Sequence, residues 1–337
     1  MSEMQTAGEK YLLEVEDLRM AFPVEGNFLR RTKQFVHAVD GVSFRLRPGE
    51  TLGIVGESGC GKSTVGNLIV RLLKETGGRI LFEGRDITAM SAREFKPLRK
   101  EMQMVFQDPF SSLDPRKKVF DIIAEPYRIQ TKMSAKELRK NVEYMMELVG
   151  LDKSYQTRYP HEFSGGQRQR IGIARALALR PKLVICDEPV SALDVSIQAQ
   201  ILNLLKDLQE ELQLTYIFIA HGLPTVQYIS DRIAVMYLGK IMELAPEKAL
   251  FAHTLHPYTE GLLSAIPVDD PTKRDEEDKP ILEGDLPSPL HLPEGCRFCS
   301  RCKYAQAVCR QKEPALQEAL PGHFVCCHFP LLGAAGQ

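Results

Sequence analysis

Nine residues, GESGCGKST from Gly56 to Thr64, constrain this chain more than any other stretch. They follow the apolar run TLGIV (Thr51 to Val55) and precede the helix-ready segment TVGNLIVRLL. A β-branched strand, a glycine-rich loop and a helix are what a phosphate-binding loop requires. Gly56, Gly59 and Gly61 can take backbone angles closed to other residues, so consecutive amides of Gly56, Glu57, Ser58, Gly59, Cys60 and Gly61 can curl around an anion. The next helix adds its positive N-terminal end. Lys62 supplies a point charge for the outer phosphates, and the hydroxyl of Ser63, next to Thr64, can ligate the Mg²⁺ that accompanies a nucleotide. An ordinary glycine turn would not need this strand and helix on either side.

The 337 residues suffice for one sizeable α/β domain and a smaller appendage. With 43 basic and 44 acidic side chains, no nucleic-acid-coating surface is expected, and the scattered charges read as solvated faces. The longest apolar runs, TYIFIA (Thr215 to Ala220) and IAVMYLG (Ile233 to Gly239), are of strand length, too short to span a bilayer. With no secretory signal at its start, the chain reads as cytosolic, and any membrane role passes through partners.

Taken in order, LLEVEDLRMAF (Leu12 to Phe22) and AVDGVSFRLRPGE (Ala38 to Glu50) alternate as strands with one wet face do. The basic insert PVEGNFLRRTKQF between them reads as a loop or hairpin extension. An aromatic residue here can stack on a nucleobase; Phe22 is the first choice, with Phe28 and Phe35 as rivals, and its alternative is plain core packing. GGRILFEGRDIT (Gly77 to Thr88) reads as a two-strand return turning at Glu83-Gly84. MQMVFQDPFSSLDPR (Met102 to Arg116) gives a strand running into a proline-marked loop, with Gln107 at the junction able to reach Mg²⁺ or an attacking water. From Val119 to about Pro160 the pattern turns helical, with Ser134 as N-cap and Gly150 as a stop.

HEFSGGQRQRIGIARALALRPKLVICDEPVSALD, from His161 to Asp194, is the most informative stretch. Ser164, Gly165, Gly166 and Gln167 precede a helix whose N-terminus can bind an anion. LVICDE (Leu183 to Glu188) is a buried strand ending in two carboxylates. Asp187 is placed to hold Mg²⁺ through water and Glu188 to polarise an attacking water. A helix from Ser196 to Leu212 and the strand TYIFIA follow, ending at His221, which can hydrogen-bond a γ-phosphate.

These residues resemble the ATP-binding subunits of ABC transporters over Leu12 to about Ala265. GESGCGKST resembles the family's phosphate loop, Gln107 its Q-loop, FSGGQRQR its signature motif, and LVICDE its Walker B strand with the catalytic glutamate. SALD, through Asp194, resembles the D-loop, and His221 the switch histidine. Gly222 departs from the aspartate that most relatives place after that histidine. The resemblance implies a P-loop NTPase cassette of α/β class: a mixed sheet core, an antiparallel β subdomain and an inserted α-helical subdomain at about 110–165. It implies ATP hydrolysis with Mg²⁺ held by Ser63, Gln107 and Asp187, and a head-to-tail dimer in which Gly56–Thr64 of one chain faces Ser164–Gln167 of the other. QDPFSSLDPR, LHPYTEGLLSAIP (Leu255 to Pro267) and a cysteine-bearing tail narrow the resemblance to subunits serving oligopeptide, dipeptide and nickel importers. The implied partners are a second, different ATPase subunit in a heterodimer, two permeases and, indirectly, an extracytoplasmic binding protein, placing the chain at the cytoplasmic face of the inner membrane. The rivals are the same role for nickel or another small solute, and a soluble ABC protein outside transport.

The expected domains are a cassette over 1–265 and an extension over 266–337, with a charged linker at 269–280. Six of the eight cysteines crowd this extension. Cys296, Cys302, Cys309 and Cys327 have the subfamily spacing C-x5-C-x6-C-x17-C, while Cys299 and Cys326 are extra. The resemblance implies a [4Fe–4S] cluster on those four, with structural Zn²⁺ as the alternative.

Overall fold

Strand-forming β-branched runs and helix-forming segments separate cleanly along the chain in a computed structural model that describes residues 10–24, 34–266, 287–290 and 292–332. The linker expected at 269–280, Phe28 and most of the basic insert lie outside the described residues. Twelve strands occur among the described residues: β1 (Leu13–Val24), β2 (Gln34–Leu46), β3 (Thr51–Val55), β4 (Gly77–Phe82), β5 (Arg85–Asp86) and β6 (Met102–Val105) come first. The later six are β7 (Leu183–Asp187), β8 (Thr215–Ala220), β9 (Arg232–Tyr237), β10 (Lys240–Pro246), β11 (Gln317–Leu320) and β12 (His323–Val325). The described residues group into two units, each assembled from separate stretches. Among the described residues, one unit draws on 10–13, 46–51 and 81–219; the other on 14–24, 34–45, 52–80, 220–266, 287–290 and 292–332.

In the first unit β6, β7 and β8 are parallel, with Met104 opposite Ile185 and Ile185 opposite Ile217. Every residue of LVICD and TYIFIA is buried, as expected of parallel strands covered on both faces. Helices Val119–Gln130 and Ala135–Leu148 form the helical block and pack against the helix Gly165–Leu177, with Ile122, Ile123, Val142, Met145, Met146, Ile171 and Ile173 buried. Ser134 caps the second of these with a reciprocal Ser134–Glu137 pair, and Gly150 ends it in the left-handed region at φ 70°. The turn at Glu83-Gly84 joins β4 to β5 with both residues at positive φ.

In the second unit β3 runs parallel to β9, Ile54 opposite Ala234. β9 pairs antiparallel with β10, β10 with β12, and β12 with β11, so the C-terminal tail extends a sheet. A carboxylate buried in β10 explains why the tail docks there. Glu243 accepts hydrogen bonds from the backbone N–H groups of Leu255 and His256 and pairs with His323 Nε2 at 2.7 Å. His256 in turn caps the helix Pro257–Ser264, its Nδ1 accepting from the Tyr258 N–H at 3.0 Å. Burial holds His256 down at about 4, so the ring is neutral and keeps the lone pair that the cap needs.

Candidate nucleotide site

Loop geometry comes first, in the second unit. β3 delivers the chain into Gly56–Gly61, and the helix Lys62–Ile69 leaves it. Gly56, Gly59 and Gly61 all have positive φ, at 156°, 78° and 103°. A Cβ at Gly56 would run into the Met236 carbonyl, and one at Gly61 into the Ala38 carbonyl. Two of the three glycines are thus demanded by space as well as by torsion. Lys62 is buried, 4% exposed, and its Nζ donates to the carbonyls of Gly56 at 2.8 Å and Glu57 at 3.0 Å. The ammonium is therefore held across the mouth of its own loop. The nearby Cys60 thiol is pushed up by burial and stays protonated. Phe22 is half-buried on β1 and Phe35 exposed at the start of β2.

The carboxylates lie in the first unit. Asp187 ends β7, and Glu188 follows with φ 47°, its N–H donating to the Ile219 carbonyl at 2.9 Å. That left-handed residue turns the chain directly after the strand. Both carboxylates are buried, at 7% and 4% exposure. Gln107 Nε2 donates to Glu188 Oε2 at 2.7 Å, so a single hydrogen bond joins two residues 81 positions apart. The hydroxyl and N–H of Ser191 both donate to the Glu188 carbonyl, fixing the following turn.

The helix Gly165–Leu177 begins with a reciprocal cap. Ser164 Oγ accepts from the Gln167 N–H, and Gln167 Oε1 accepts from the Ser164 N–H at 3.1 Å. Gly166 has no room for a side chain, because a Cβ there would strike Ile197 of the helix Val195–Leu212. Asp194 caps that second helix, accepting from Ile197 N–H at 3.1 Å and Ser196 Oγ at 2.8 Å; these bonds, Ser196 first, hold its carboxyl below the ordinary value. His221, in the second unit, is exposed between β8 and the helix Leu223–Ile229, for which Gly222 is an N-cap without a capping side chain.

The tail supplies another feature. Cys296, Cys299, Cys302, Cys309 and Cys327 line one cavity of about 350 Å³, open mouth included, with His256, Phe298 and Tyr304 on its walls. Cys299, extra by spacing, stands with the four expected cysteines. Cys326 does not: its thiol donates to the Pro314 carbonyl at 3.1 Å. Burial raises the Cys296 thiol to about 12 and Cys327 to about 11. Among the described residues, no group of three or more His, Cys, Asp and Glu is disposed to hold a metal ion. The expected four-cysteine ligand set is therefore not supported as it stands, although thiols around one cavity are the right donor chemistry for a soft metal or iron–sulfur group.

A glycine loop after a buried parallel strand, a strand-end carboxylate pair bonded by a distant glutamine, and a doubly capped SGGQ helix define a P-loop nucleotide-binding cassette of the ABC class. The solved structures agree. The dimeric ATP-binding cassette MJ0796 in a post-hydrolysis state with ADP and Pi matches with a TM-score of 0.63 and 26% identity, covering 70% of this chain and 98% of that one. CbiO1 from Clostridium perfringens, part of the ABC transporter complex cbiONQ, matches with a TM-score of 0.63 and 32% identity, covering 72% of this chain and 92% of that one. The ABC transporter family profile matches residues 39–191, and that of the oligopeptide/dipeptide transporter C-terminal region matches residues 242–309. The oligopeptide transport ATP-binding protein AppF of Bacillus subtilis is 53% identical over 97% of this chain and 99% of that protein. The oligopeptide transport ATP-binding protein OppF of Escherichia coli is 50% identical over 96% and 97%. The chain belongs to the ABC transporter family, in the group of oligopeptide transport ATP-binding proteins, and is an ABC-type ATPase. ATP and Mg²⁺ are the expected ligands of such a protein. Among the described residues no helix is long and apolar enough to cross a membrane.

Proposed function

We propose that this chain is the ATP-hydrolysing subunit of an importer of short peptides. It works at the cytoplasmic face of the membrane beneath two permease subunits, with an extracytoplasmic binding protein choosing the cargo. It pairs head to tail with a second ATP-binding subunit, so that Gly56–Thr64 of one chain and Ser164–Gln167 of the other enclose each ATP. The observation that carries this reading is the buried Asp187–Glu188 pair with Gln107 bonded to Glu188, in a chain similar over 97% of its length to an oligopeptide transport ATP-binding protein.

The chemistry asks for charge placement more than covalent work. Lys62 is released from the Gly56 and Glu57 carbonyls to meet the outer phosphates. Glu188 gives up the Gln107 amide and orients the attacking water. His221 donates to the γ-phosphate as charge builds there, and Asp194 sets the helix start beside the dimer face. Phe22 stacks on the adenine, with Phe35 as its rival. Ser63, Gln107 and Asp187 are the residues for Mg²⁺, which neutralises phosphate charge when bound. The capped Ser164 helix leaves the amides of Gly165 and Gly166 for the partner's γ-phosphate. The domains under this reading are a cassette over 1–265, with its helical block at about 110–165, and an extension over 266–337.

For the extension the reading adds a [4Fe–4S] cluster on Cys296, Cys302, Cys309 and Cys327, with Zn²⁺ as the alternative. What favours it is donor chemistry alone, since these four thiols line one cavity but form no preformed metal-holding group among the described residues. Because those thiols lose protons on ligation, loading should be accompanied by proton release. Iron and acid-labile sulfide assays on anaerobically purified protein decide the point; a colourless chain with one zinc removes the cluster.

The functional test is uptake. Reconstituted with its permeases and binding protein, the chain should drive ATP-dependent accumulation of labelled oligopeptide. Uptake of nickel instead, or hydrolysis unaffected by the permeases, would contradict the peptide reading.

A further inference from the structure

One residue of the phosphate loop is held from the tail. Glu57 is the second residue of GESGCGKST, and its carboxylate is gripped by both terminal nitrogens of Arg301: Nη1 to Oε2 at 2.8 Å and Nη2 to Oε1 at 3.1 Å. The side chain of Arg301 is 7% exposed and that of Glu57 28%. The backbone N–H of Glu57 donates to the Tyr258 hydroxyl at 3.0 Å. Tyr258 packs against Tyr237 at 4.7 Å and Phe298 at 5.4 Å between ring centroids, and the Arg301 guanidinium lies 5.9 Å from the Tyr237 ring. Side chain and peptide of one loop residue are thus fixed together, by groups 201 and 244 positions away.

A carboxylate in a loop built to receive a triphosphate is a liability, because like charges repel across a poorly solvated site. A fork-on-fork Arg–carboxylate pair both cancels that charge and fixes its position. Arg297, its neighbour on the same segment, is likewise buried and paired with Asp40 of β2. The segment between Cys296 and Cys302 is therefore tied to its unit by ion pairs from Arg297 to Asp40 and Glu313 and from Arg301 to Glu57, and the Arg301 pair is the one that reaches the phosphate loop among the described residues.

We infer that Arg301 is a positioning residue for ATP binding: it neutralises and orients Glu57 so that the loop amides are arranged for the triphosphate before it arrives. This inference rests on the nucleotide-binding reading of Gly56–Thr64. It assigns to the tail a direct part in the affinity of the cassette for ATP, through the Glu57 carboxylate.

The test is a binding cycle on the full chain with a fluorescent ATP analogue, with thermal unfolding in the absence of nucleotide as the check on folding. Arg301→Gln should weaken binding about tenfold, the scale of a lost charge-assisted hydrogen bond. Adding Glu57→Gln to Arg301→Gln should restore most of the affinity, since the bare carboxylate is then gone. A merely structural Arg301 would not be rescued this way. Arg301→Lys, which keeps the charge and loses the fork, should fall between the two and carries the test if Arg301→Gln does not fold. Wild-type affinity in a folded Arg301→Gln or in Arg301→Lys, or failure of Glu57→Gln to rescue, overturns the inference. A wild-type chain that binds no ATP would instead overturn the nucleotide reading beneath it.

Discussion

Two glycines in the phosphate loop offer a matched pair for testing how that loop is built. Gly59 sits at φ 78° with open space where a Cβ would stand, whereas Gly61 sits at φ 103° with the Ala38 carbonyl in that position. Gly59→Ala meets only the torsional cost of a positive φ, on the order of 1 kcal/mol. Gly61→Ala meets that cost plus an overlap with backbone that cannot swing away, together about 3 kcal/mol or more. Backbone on β2 cannot yield without breaking strand pairing, so the loop is what moves. Both substitutions keep the amide N–H, so neither removes a phosphate donor directly. Calorimetric titration with ATP and Mg²⁺ should therefore show roughly fivefold weaker binding for Gly59→Ala and more than 100-fold for Gly61→Ala. Circular dichroism should show that both retain their helices. Equal losses in the two variants would refute the reasoning, since the difference between them is steric alone.

Other perturbations follow from local geometry. Gly222→Asp places a side-chain acceptor at an N-cap that lacks one, where a new Cβ would have only ordinary contacts beyond 3.7 Å. It should raise stability by about 0.5 kcal/mol in urea titrations; a loss would mean that the His221 loop needs glycine. Glu243→Ala strips the buried acceptor from two backbone N–H groups and from His323 and should cost about 3 kcal/mol, seen as early proteolytic cleavage of the tail; wild-type protease resistance would contradict its role as the clasp.

Much of this was legible because local chemistry and tertiary need coincide. TLGIV, LVICD and TYIFIA are continuous apolar runs because their strands are covered on both faces, and each forms a buried strand. Ser134 and Gly150 punctuate their helix as their side chains dictate. The SGGQ stretch announced a helix start, but the reason for Gly166 is Ile197, which no local pattern reveals. The tail was legible as a cysteine spacing and not as sheet, because β11 is short and polar, β12 is only three residues long, and both take their strand form from pairing, β12 with β10 and β11 with β12. In the sequence Glu57 entered only through its amide; the partner that gives its side chain meaning is 244 residues away. The signal available was an arginine buried between two cysteines, which composition alone cannot separate from a surface charge. LHPYTE likewise read as a family mark, whereas its physical content is a neutral histidine cap with a tyrosine hydroxyl reaching the phosphate loop.

The central claim is that this chain hydrolyses ATP with Glu188 orienting the water. Steady-state phosphate release and equilibrium ATP binding, measured side by side on the assembled transporter carrying wild-type or Glu188→Gln protein, test it most directly. The account predicts that Glu188→Gln keeps ATP affinity within a few-fold, holds the paired subunits closed around ATP, and loses phosphate release by two orders of magnitude or more. Phosphate release near the wild-type rate from Glu188→Gln would contradict it.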